Sequence, residues 1–348
     1  MEADAAVMPK VDVAKVIDDV LGTIERERER EIVARRYGLY DRRETLEQIG
    51  ELLSITRERV RQLEKAVVTK LKAAAAKDLP HIKDVEKAIL THLEAMGNIA
   101  RISDIAARLT AEGSKIDQSR VAFLSELSPG LAVIDDNDHY HHAVGNKKMH
   151  DEKSIREHVN KIIETIKGIG EPVTVDKIRE KTGHSTDSHV TALASTSKQL
   201  ATLNSRWGLA RWPLVNPKNI RDKIYVVLKE HTKPMHFNEI AKAIKDSTFK
   251  RKDVTTQAIH NELIKDKRFV LIGRGIYALN EWGYKKGTVA DMIADVLKKE
   301  AGPLHRDEIV KRVLKSRQVK ETTILLNLQG KPQFKRVAKA TYTLADKA

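Results

Sequence analysis

Thr45-Leu46-Glu47-Gln48-Ile49-Gly50-Glu51-Leu52-Leu53-Ser54-Ile55-Thr56-Arg57-Glu58-Arg59-Val60-Arg61-Gln62-Leu63-Glu64 is the most informative stretch of this 348-residue chain. Thr45 with Gln48 three positions on makes a capping box, so a helix starts here and buries Ile49, Leu52 and Leu53. Ser54-Ile55 makes the turn, and Thr56 caps a second helix running through Val60, Leu63, Val67 and Leu71. At about 100° per residue those four apolar positions form one stripe. Glu58, Gln62, Lys65 and Thr69 fall on the opposite side, with Arg61 on its flank. This is a helix-turn-helix pattern, in which the second helix enters a major groove.

The outward end of that second helix has the chemistry of a base reader. Arg57 and Arg59 occupy its first turn, where a cation opposes the helix dipole; an anionic partner arriving there offsets that cost. Arg takes guanine bidentately, Glu accepts from cytosine and Gln pairs with adenine. The plainer alternative is a solvated helix face with polar pairs such as Glu58–Gln62 at i,i+4. The like-charged pair Arg61–Lys65 at the same spacing gains such a face nothing.

Composition narrows the classes. Lys plus Arg number 63 against 49 Asp plus Glu, a formal charge of +14, and such an excess favours a polyanionic partner through counterion release. Ribosome-binding and membrane-surface proteins share this property. There is no apolar run near 18 residues, so no membrane span is expected. Met1 to Pro9 is acidic and small, without the basic flank and apolar stretch of a secretory signal. The absence of Cys removes disulfides, thiolate zinc sites and Cys nucleophiles together. A cytoplasmic protein with no membrane partner follows. The length allows two to five small domains.

After residue 80 one order of features recurs at long period. Each copy opens with an amphipathic helix, at Val85–Ala95, Ile155–Ile166, Ile220–Glu230 and Val289–Glu300. A Gly- or Pro-bearing turn leads to a second helix starting near Ile102, Val175, Phe237 and His305. A third follows around Ser119–Leu127, Ser185–Thr196, Val254–Lys265 and Glu321–Leu328, and an alternating hairpin such as Phe269–Leu279 closes the copy. The helix starts at Asp84, Ser154, Asn219 and Thr288 lie 70, 65 and 69 residues apart, a spacing that suits independently folding units. The expected fold is mainly α: a helix-turn-helix domain at 11–78, behind a flexible N-terminus at 1–10. Four tandem winged-helix domains, three helices plus a β-hairpin each, follow at 84–146, 154–215, 219–283 and 288–346. Pro80–Lys83 reads as a linker, and His142–Lys153 and Trp212–Lys218 read as joints.

The string Thr56–Glu64, preceded by Thr45–Gly50, closely resembles the C-terminal promoter-reading region, region four, of the primary bacterial sigma factors. Glu25–Tyr40, with Arg26-Glu27-Arg28-Glu29 and Arg35-Arg36-Tyr37-Gly38-Leu39, resembles the helix pair that precedes it in that region. The resemblance runs roughly from Val11 to Lys77. It implies double-stranded promoter DNA and the β flap of the RNA polymerase core as partners. Position by position it implies Arg57, Glu58 and Gln62 as base readers, with Thr45, Leu46, Arg59, Arg61 and Lys65 near phosphates. It also implies the surface around Ile32–Leu39 as the polymerase side. A complete sigma factor carries a further domain that melts the promoter; this chain resembles only the final quarter of one, so independent melting is not expected of it.

The third repeat, with Lys233-Pro234-Met235-His236-Phe237-Asn238-Glu239-Ile240, resembles the HARE type of winged helix found in the delta subunit of RNA polymerase and in chromatin-associated proteins. The fourth, with Gly302-Pro303-Leu304-His305-Arg306-Asp307-Glu308-Ile309, is similar to a more diverged copy. Lys250, Arg251, Lys252, Lys265, Lys267, Arg268, Arg274, Lys311, Arg312, Lys315 and Arg317 are candidates for nonspecific phosphate contact, or else scattered solvated charge. Two other functions remain open. One is a delta-like docking protein that reads no base; the other is the DNA-binding subunit of a nuclease system, since HARE-type modules also accompany restriction nucleases.

Three constellations carry less. Asp135-Asp136-Asn137-Asp138-His139-Tyr140-His141-His142 has metal-ligand chemistry, with His139 and His141 on one strand face, yet Asp-Asn-Asp equally suits a hairpin turn. The alternating run Glu25–Glu31 reads as a solvated helix with opposite charges at i,i+3. Trp207 and Trp212 could stack on bases, but packing of a wing onto its own helices is the simpler use. With no glycine-rich phosphate loop, catalytic triad or paired carboxylates, the expectation is a non-enzyme without cofactor, metal or small-molecule substrate.

Overall fold

The structure, a computed structural model, describes residues 10–284, 287–300, 302–316 and 319–345. The expected flexible N-terminus therefore lies outside the described residues apart from Lys10, as do Arg317 and the last three residues. The chain divides into two compact units, Met1–Arg211 and Trp212–Ala348.

In the first unit α1 (Val13–Gly22), α2 (Glu27–Tyr37), α3 (Leu46–Leu52) and α4 (Arg57–Ala75) come first. Two copies of one arrangement follow. The first has α5 (Ile82–Ala95), β1 (Ile99–Arg101), α6 (Ile102–Leu109), α7 (Lys115–Leu127), β2 (Leu131–Ile134) and β3 (Ala143–Asn146). The second has α8 (Glu152–Ile169), β4 (Val173–Thr174), α9 (Val175–Thr182), α10 (Asp187–Thr196), β5 (Leu200–Leu203) and β6 (Arg206–Leu209).

The second unit holds two more copies. One has α11 (Ile220–His231), β7 (Met235–His236), α12 (Phe237–Asp246), α13 (Thr256–Lys265), β8 (Phe269–Gly273) and β9 (Ile276–Leu279). The other has α14 (Val289–Glu300), β10 (Leu304–His305), α15 (Arg306–Ser316), α16 (Glu321–Gly330), β11 (Phe334–Ala338) and β12 (Thr341–Leu344). Among the described residues the fold is thus mainly helical with four small antiparallel sheets.

Each sheet has one strand more than the expected hairpin. A strand of two or three residues precedes the second helix and pairs with the last strand, giving the orders β1-β3-β2, β4-β6-β5, β7-β9-β8 and β10-β12-β11. Segments this short show no alternation, so periodicity cannot announce them. Ala143–Asn146 is a strand rather than part of the joint read at His142–Lys153. Pro80–Lys83 is no free linker either: Ile82 opens α5 and is 1% exposed.

The N-terminal helices form as the caps dictate. Gln48 N donates to Thr45 Oγ1 at 3.2 Å while Thr45 N donates to Gln48 Oε1 at 2.9 Å, and Arg59 N donates to Thr56 Oγ1 at 3.2 Å. Between α3 and α4 the chain turns sharply through Ser54 at φ 53°, with Ile55 N donating to Gly50 O at 2.9 Å. Leu46, Ile49 and Leu53 face inward, whereas Leu52 is 53% exposed, contrary to expectation. On a helix that keeps positions 46, 49, 50 and 53 inside, position 52 lies more than a quarter turn away from the core direction. Glu25–Tyr40 contains one helix, α2, rather than a pair.

Helix α4 packs into two apolar clusters. Near its start Val60 joins Ile32 of α2 and Ile49 of α3, flanked by Leu53, Ile55 and Leu63. Further along, Val67, Val68, Leu71 and Ala75 enter a larger core with Val33, Leu39, α1 and the interior of α5, α6 and α7. The helix-turn-helix and the first sheet-bearing copy therefore share buried apolar side chains.

A Cβ added at Gly50 would lie 2.7 Å from Ile55 O, backbone that cannot move without opening the turn. Gly50→Ala is expected to destabilise the first unit by about 1–3 kcal/mol. Denaturant unfolding monitored by circular dichroism would read this as a lower midpoint, and an unchanged midpoint would contradict the close approach.

Candidate nucleic-acid interface

The outward residues at the start of α4 are held by its buried back. Val60 is 0% exposed, while Arg57, Glu58, Arg59, Arg61, Gln62 and Lys65 are all exposed. Thr45 is exposed and Leu46 half-buried at the start of α3. The structure brings four of these side chains into one network. Arg61 forms a two-pronged contact with Glu58, Nε to Oε2 at 2.8 Å and Nη2 to Oε1 at 2.7 Å. Gln62 Nε2 donates to Glu58 Oε1 at 3.3 Å, and Arg59 Nη1 donates to Gln62 Oε1 at 3.4 Å. Thr45, Leu46 and Lys65 lie outside this network, and Arg57 acts on it through charge.

Hydrogen bonding from Arg61, then from Gln62, holds the Glu58 carboxyl down at about 2, with the charges of Arg61 and Arg57 adding to the effect. The ionised carboxylate is an acceptor only, the form that receives an amino group. Arg61 settles on Glu58 one turn earlier rather than standing against Lys65, which relieves the like-charge contact expected from spacing alone.

Ion pairs that the sequence reading missed fix α2 beneath this helix. Arg36 Nε lies 3.4 Å from Glu64 Oε1 of α4, and both side chains are largely buried. Arg35 pairs with Glu31 and with Glu44, each at 2.9 Å, and Arg28 donates to the carbonyl of Leu53 at the end of α3. The run Glu25–Glu31 does contain the expected i,i+3 pair, Arg26–Glu29 at 3.4 Å. It is nonetheless the edge of a packed helix, because Ile32 and Val33 directly follow and both are buried.

Within the surface expected for polymerase around Ile32–Leu39, the aliphatic residues Ile32, Val33 and Leu39 are internal, while Ala34, Arg35, Arg36 and Tyr37 are half-buried. Ile32, Val33 and Leu39 are each 0% exposed. Helix α7 covers this side: the rings of Tyr37 and Phe123 lie 4.7 Å apart, and Arg120 Nε donates to Leu39 O at 2.8 Å. Ile32 and Val33 of α2, about 100° apart around the helix, enter different apolar clusters, a packing that only the tertiary structure reveals. What stays open at this end is Tyr40, 51% exposed, beside a cleft of about 720 Å³ between α1 and α2 lined by Asp18, Leu21, Ala34 and Arg35.

Among the other candidates, Arg268 is engaged by Asp222 and Asp266 at 3.2 and 2.8 Å, and Arg312 by Glu308 at 2.7 Å and by Glu300. Neither is a free phosphate ligand. Lys250, Arg251, Lys252, Lys265, Lys267, Arg274, Lys311 and Lys315 are exposed. Trp207 is buried in β6, which leaves no face for a base, and Trp212 is half-buried. His139 and His141 sit in a loop rather than on a strand. There His139 Nδ1 lies 3.3 Å from Gln199 Nε2, and His141 N donates to Thr196 O at 2.8 Å.

Residues 26–73 match the family described as sigma-70, region 4. Over 78 residues the chain is 44% identical to the RNA polymerase sigma factor SigA1 of Synechococcus elongatus, covering 21% of this chain and 19% of that protein. It is 46% identical over 57 residues to the sigma factor SigA of Microcystis aeruginosa, 16% of this chain and 14% of that one. It is 45% identical over 62 residues to the sigma factor sigB of Arabidopsis thaliana, 18% and 10% respectively. The chain thus spans less than a fifth of the curated relatives it matches. No helix among the described residues is long and apolar enough to cross a membrane.

With its pKa near 2, Glu58 stays ionised through neutral and mildly acidic solution and loses its contact with Arg61 only as the pH falls through that value. Carboxyl-detected NMR titration should show this midpoint, and Arg61→Ala should return it toward the ordinary glutamate range. A Glu58 midpoint already in that range in the native chain would contradict the pairing.

Proposed function

We propose that this protein is a DNA-binding regulator of transcription initiation whose sigma-like helix-turn-helix reads an upstream promoter element in the major groove and associates with RNA polymerase. The observation that carries this reading is the exposed tip of α4 inside the segment that matches sigma-70 region 4. In it Arg57, Glu58 and Gln62 contact base edges. Arg59, Arg61, Lys65 and the start of α3 at Thr45-Leu46 lie against phosphates. Binding exchanges the Arg61–Glu58 contact for contacts to DNA, so the network keeps the readers ordered and charged beforehand.

The domains of this reading are the helix-turn-helix at 11–78 and four winged helices at 84–146, 154–215, 219–283 and 288–346, the third of HARE type and the fourth HARE-like. Three helices followed by a small sheet in each copy support the winged-helix assignment. These modules hold flanking DNA or the polymerase, and the exposed lysines and arginines of the third and fourth supply nonspecific phosphate contacts. A β-flap contact, which the resemblance implies, would use the open rim at Tyr40 and the cleft beside it, since Ile32, Val33 and Leu39 are buried. The protein acts in the cytoplasm, as a binding protein rather than an enzyme.

Selection of bound duplexes from a random pool, with copurification of RNA polymerase, tests the reading. A hexamer-like motif is expected; sequence-blind binding would favour a docking protein, and cleavage of DNA with Mg²⁺ would favour a nuclease subunit. Arg57→Ala is expected to cost about 1–3 kcal/mol and relax preference at one base pair. Lys252→Ala should weaken binding without changing preference, and equal sequence-blind losses from both would overturn the assignment.

A further inference from the structure

Four histidines from separate elements of the first unit converge where its two sheet-bearing copies meet. His150 follows β3, His158 lies on α8, His184 is in the turn between α9 and α10, and His189 is in the first turn of α10. The rings of His150 and His189 are 4.8 Å apart and stacked; His158 lies 5.9 Å from His150 and 5.0 Å from His184, and His184 lies 5.4 Å from His189. One ring nitrogen from each of His150, His158 and His189 lies within 4.8 Å of the other two.

As a purely structural cluster this arrangement is costly. His150 and His189 are only 5% and 9% exposed. Both ring nitrogens of His150, Nδ1 of His158 and Nε2 of His184 are buried without a hydrogen-bond partner among the described residues. Unsatisfied buried polar groups are rare and call for an explanation. Apolar side chains would fill the same space without that cost.

The orientation of one ring is the one a metal ligand requires. His189 Nδ1 lies 2.8 Å from Gly97 O. A carbonyl can only accept, so Nδ1 carries the proton and Nε2 presents its lone pair, the outer-shell arrangement typical of metal-bound histidine.

We propose that His150, His158, His184 and His189 form a site for one divalent transition-metal ion, Zn²⁺ foremost, which fastens the first sheet-bearing copy to the second. Imidazole suits Zn²⁺, Cu²⁺ and Ni²⁺. Zn–N bonds of about 2.0–2.1 Å place tetrahedral ligand nitrogens about 3.3 Å apart, so the rings close by rotating inward. Four protein ligands make a closed, structural site. Because His189 is tied to Gly97 in the turn after α5, the ion links that turn, the segment after β3, α8 and α10. The inference is independent of which nucleic acid the protein binds.

The full-length chain, prepared without a histidine tag and stripped by chelator, is titrated with Zn²⁺ alone by calorimetry. Co²⁺ is then added to a fresh sample while its visible bands are followed. One ion per chain, a tetrahedral cobalt spectrum and a higher unfolding temperature are expected. His150→Leu and His189→Leu should each weaken Zn²⁺ binding by more than the roughly 10–100-fold that loss of an outer-shell partner costs. The double variant His139→Ala with His141→Ala should bind as before. Leucine removes the buried nitrogens, so folding of the variants is checkable by circular dichroism, and the cobalt spectrum of the native chain stands apart from them. No saturable uptake, an octahedral spectrum, unchanged affinity in folded leucine variants, or loss of binding in the His139/His141 variant would overturn the proposal.

Discussion

The first unit is organised around one helix that must satisfy two cores. Val60 anchors the start of α4 among Ile32 and Ile49, and Val67, Val68 and Leu71 anchor its remainder in the larger interior that reaches to α7. Burial of aliphatic side chains is nondirectional, each contributing roughly 1.5–3 kcal/mol when fully removed from water. Direction comes from geometry: a stripe on one side of a helix leaves the other side outward. The charged tip of α4 is presented because its apolar back cannot be exposed.

The polar interactions then work on a settled frame. Arg36 with Glu64, and Arg28 with the Leu53 carbonyl, tie α2 to both helices of the helix-turn-helix. On the outer surface Arg61, Glu58, Gln62 and Arg59 order one another. Exposed pairs of this kind contribute little to stability. Their value is in limiting the rotamers that a partner must otherwise organise.

Much of this was legible in the sequence because it is local. The capping box at Thr45 and Gln48 lies within four residues, and the apolar spacing on α4 follows from helix periodicity alone. The long-period recurrence after residue 80 showed itself through helix starts and turns. What escaped depended on distant neighbours. Whether Ile32–Leu39 is surface or interior is decided by Phe123 and Arg120, more than eighty residues on. Leu52 depended on which side of a two-turn helix found a core. The strands β4, β7 and β10 are two residues long and exist only because a partner strand lies beside them. The histidines stand 8, 26 and 5 positions apart, spacings without any periodic signature, and only the packing of α8 with α9 and α10 gathers them.

The shared interior has a mechanical consequence. Proteins that join DNA-binding modules by flexible tethers let each module search independently. Here no swivel separates α4 from α7: Leu79 and Ile82, on either side of Pro80, are both buried in the core that the two helices occupy. In the function proposed above, a duplex held at the tip of α4 would meet the neighbouring sheet-bearing copy at a fixed azimuth around the double-helical axis. Helix α4 and its neighbour therefore act as the fixed jaws of a caliper, joined through one buried core.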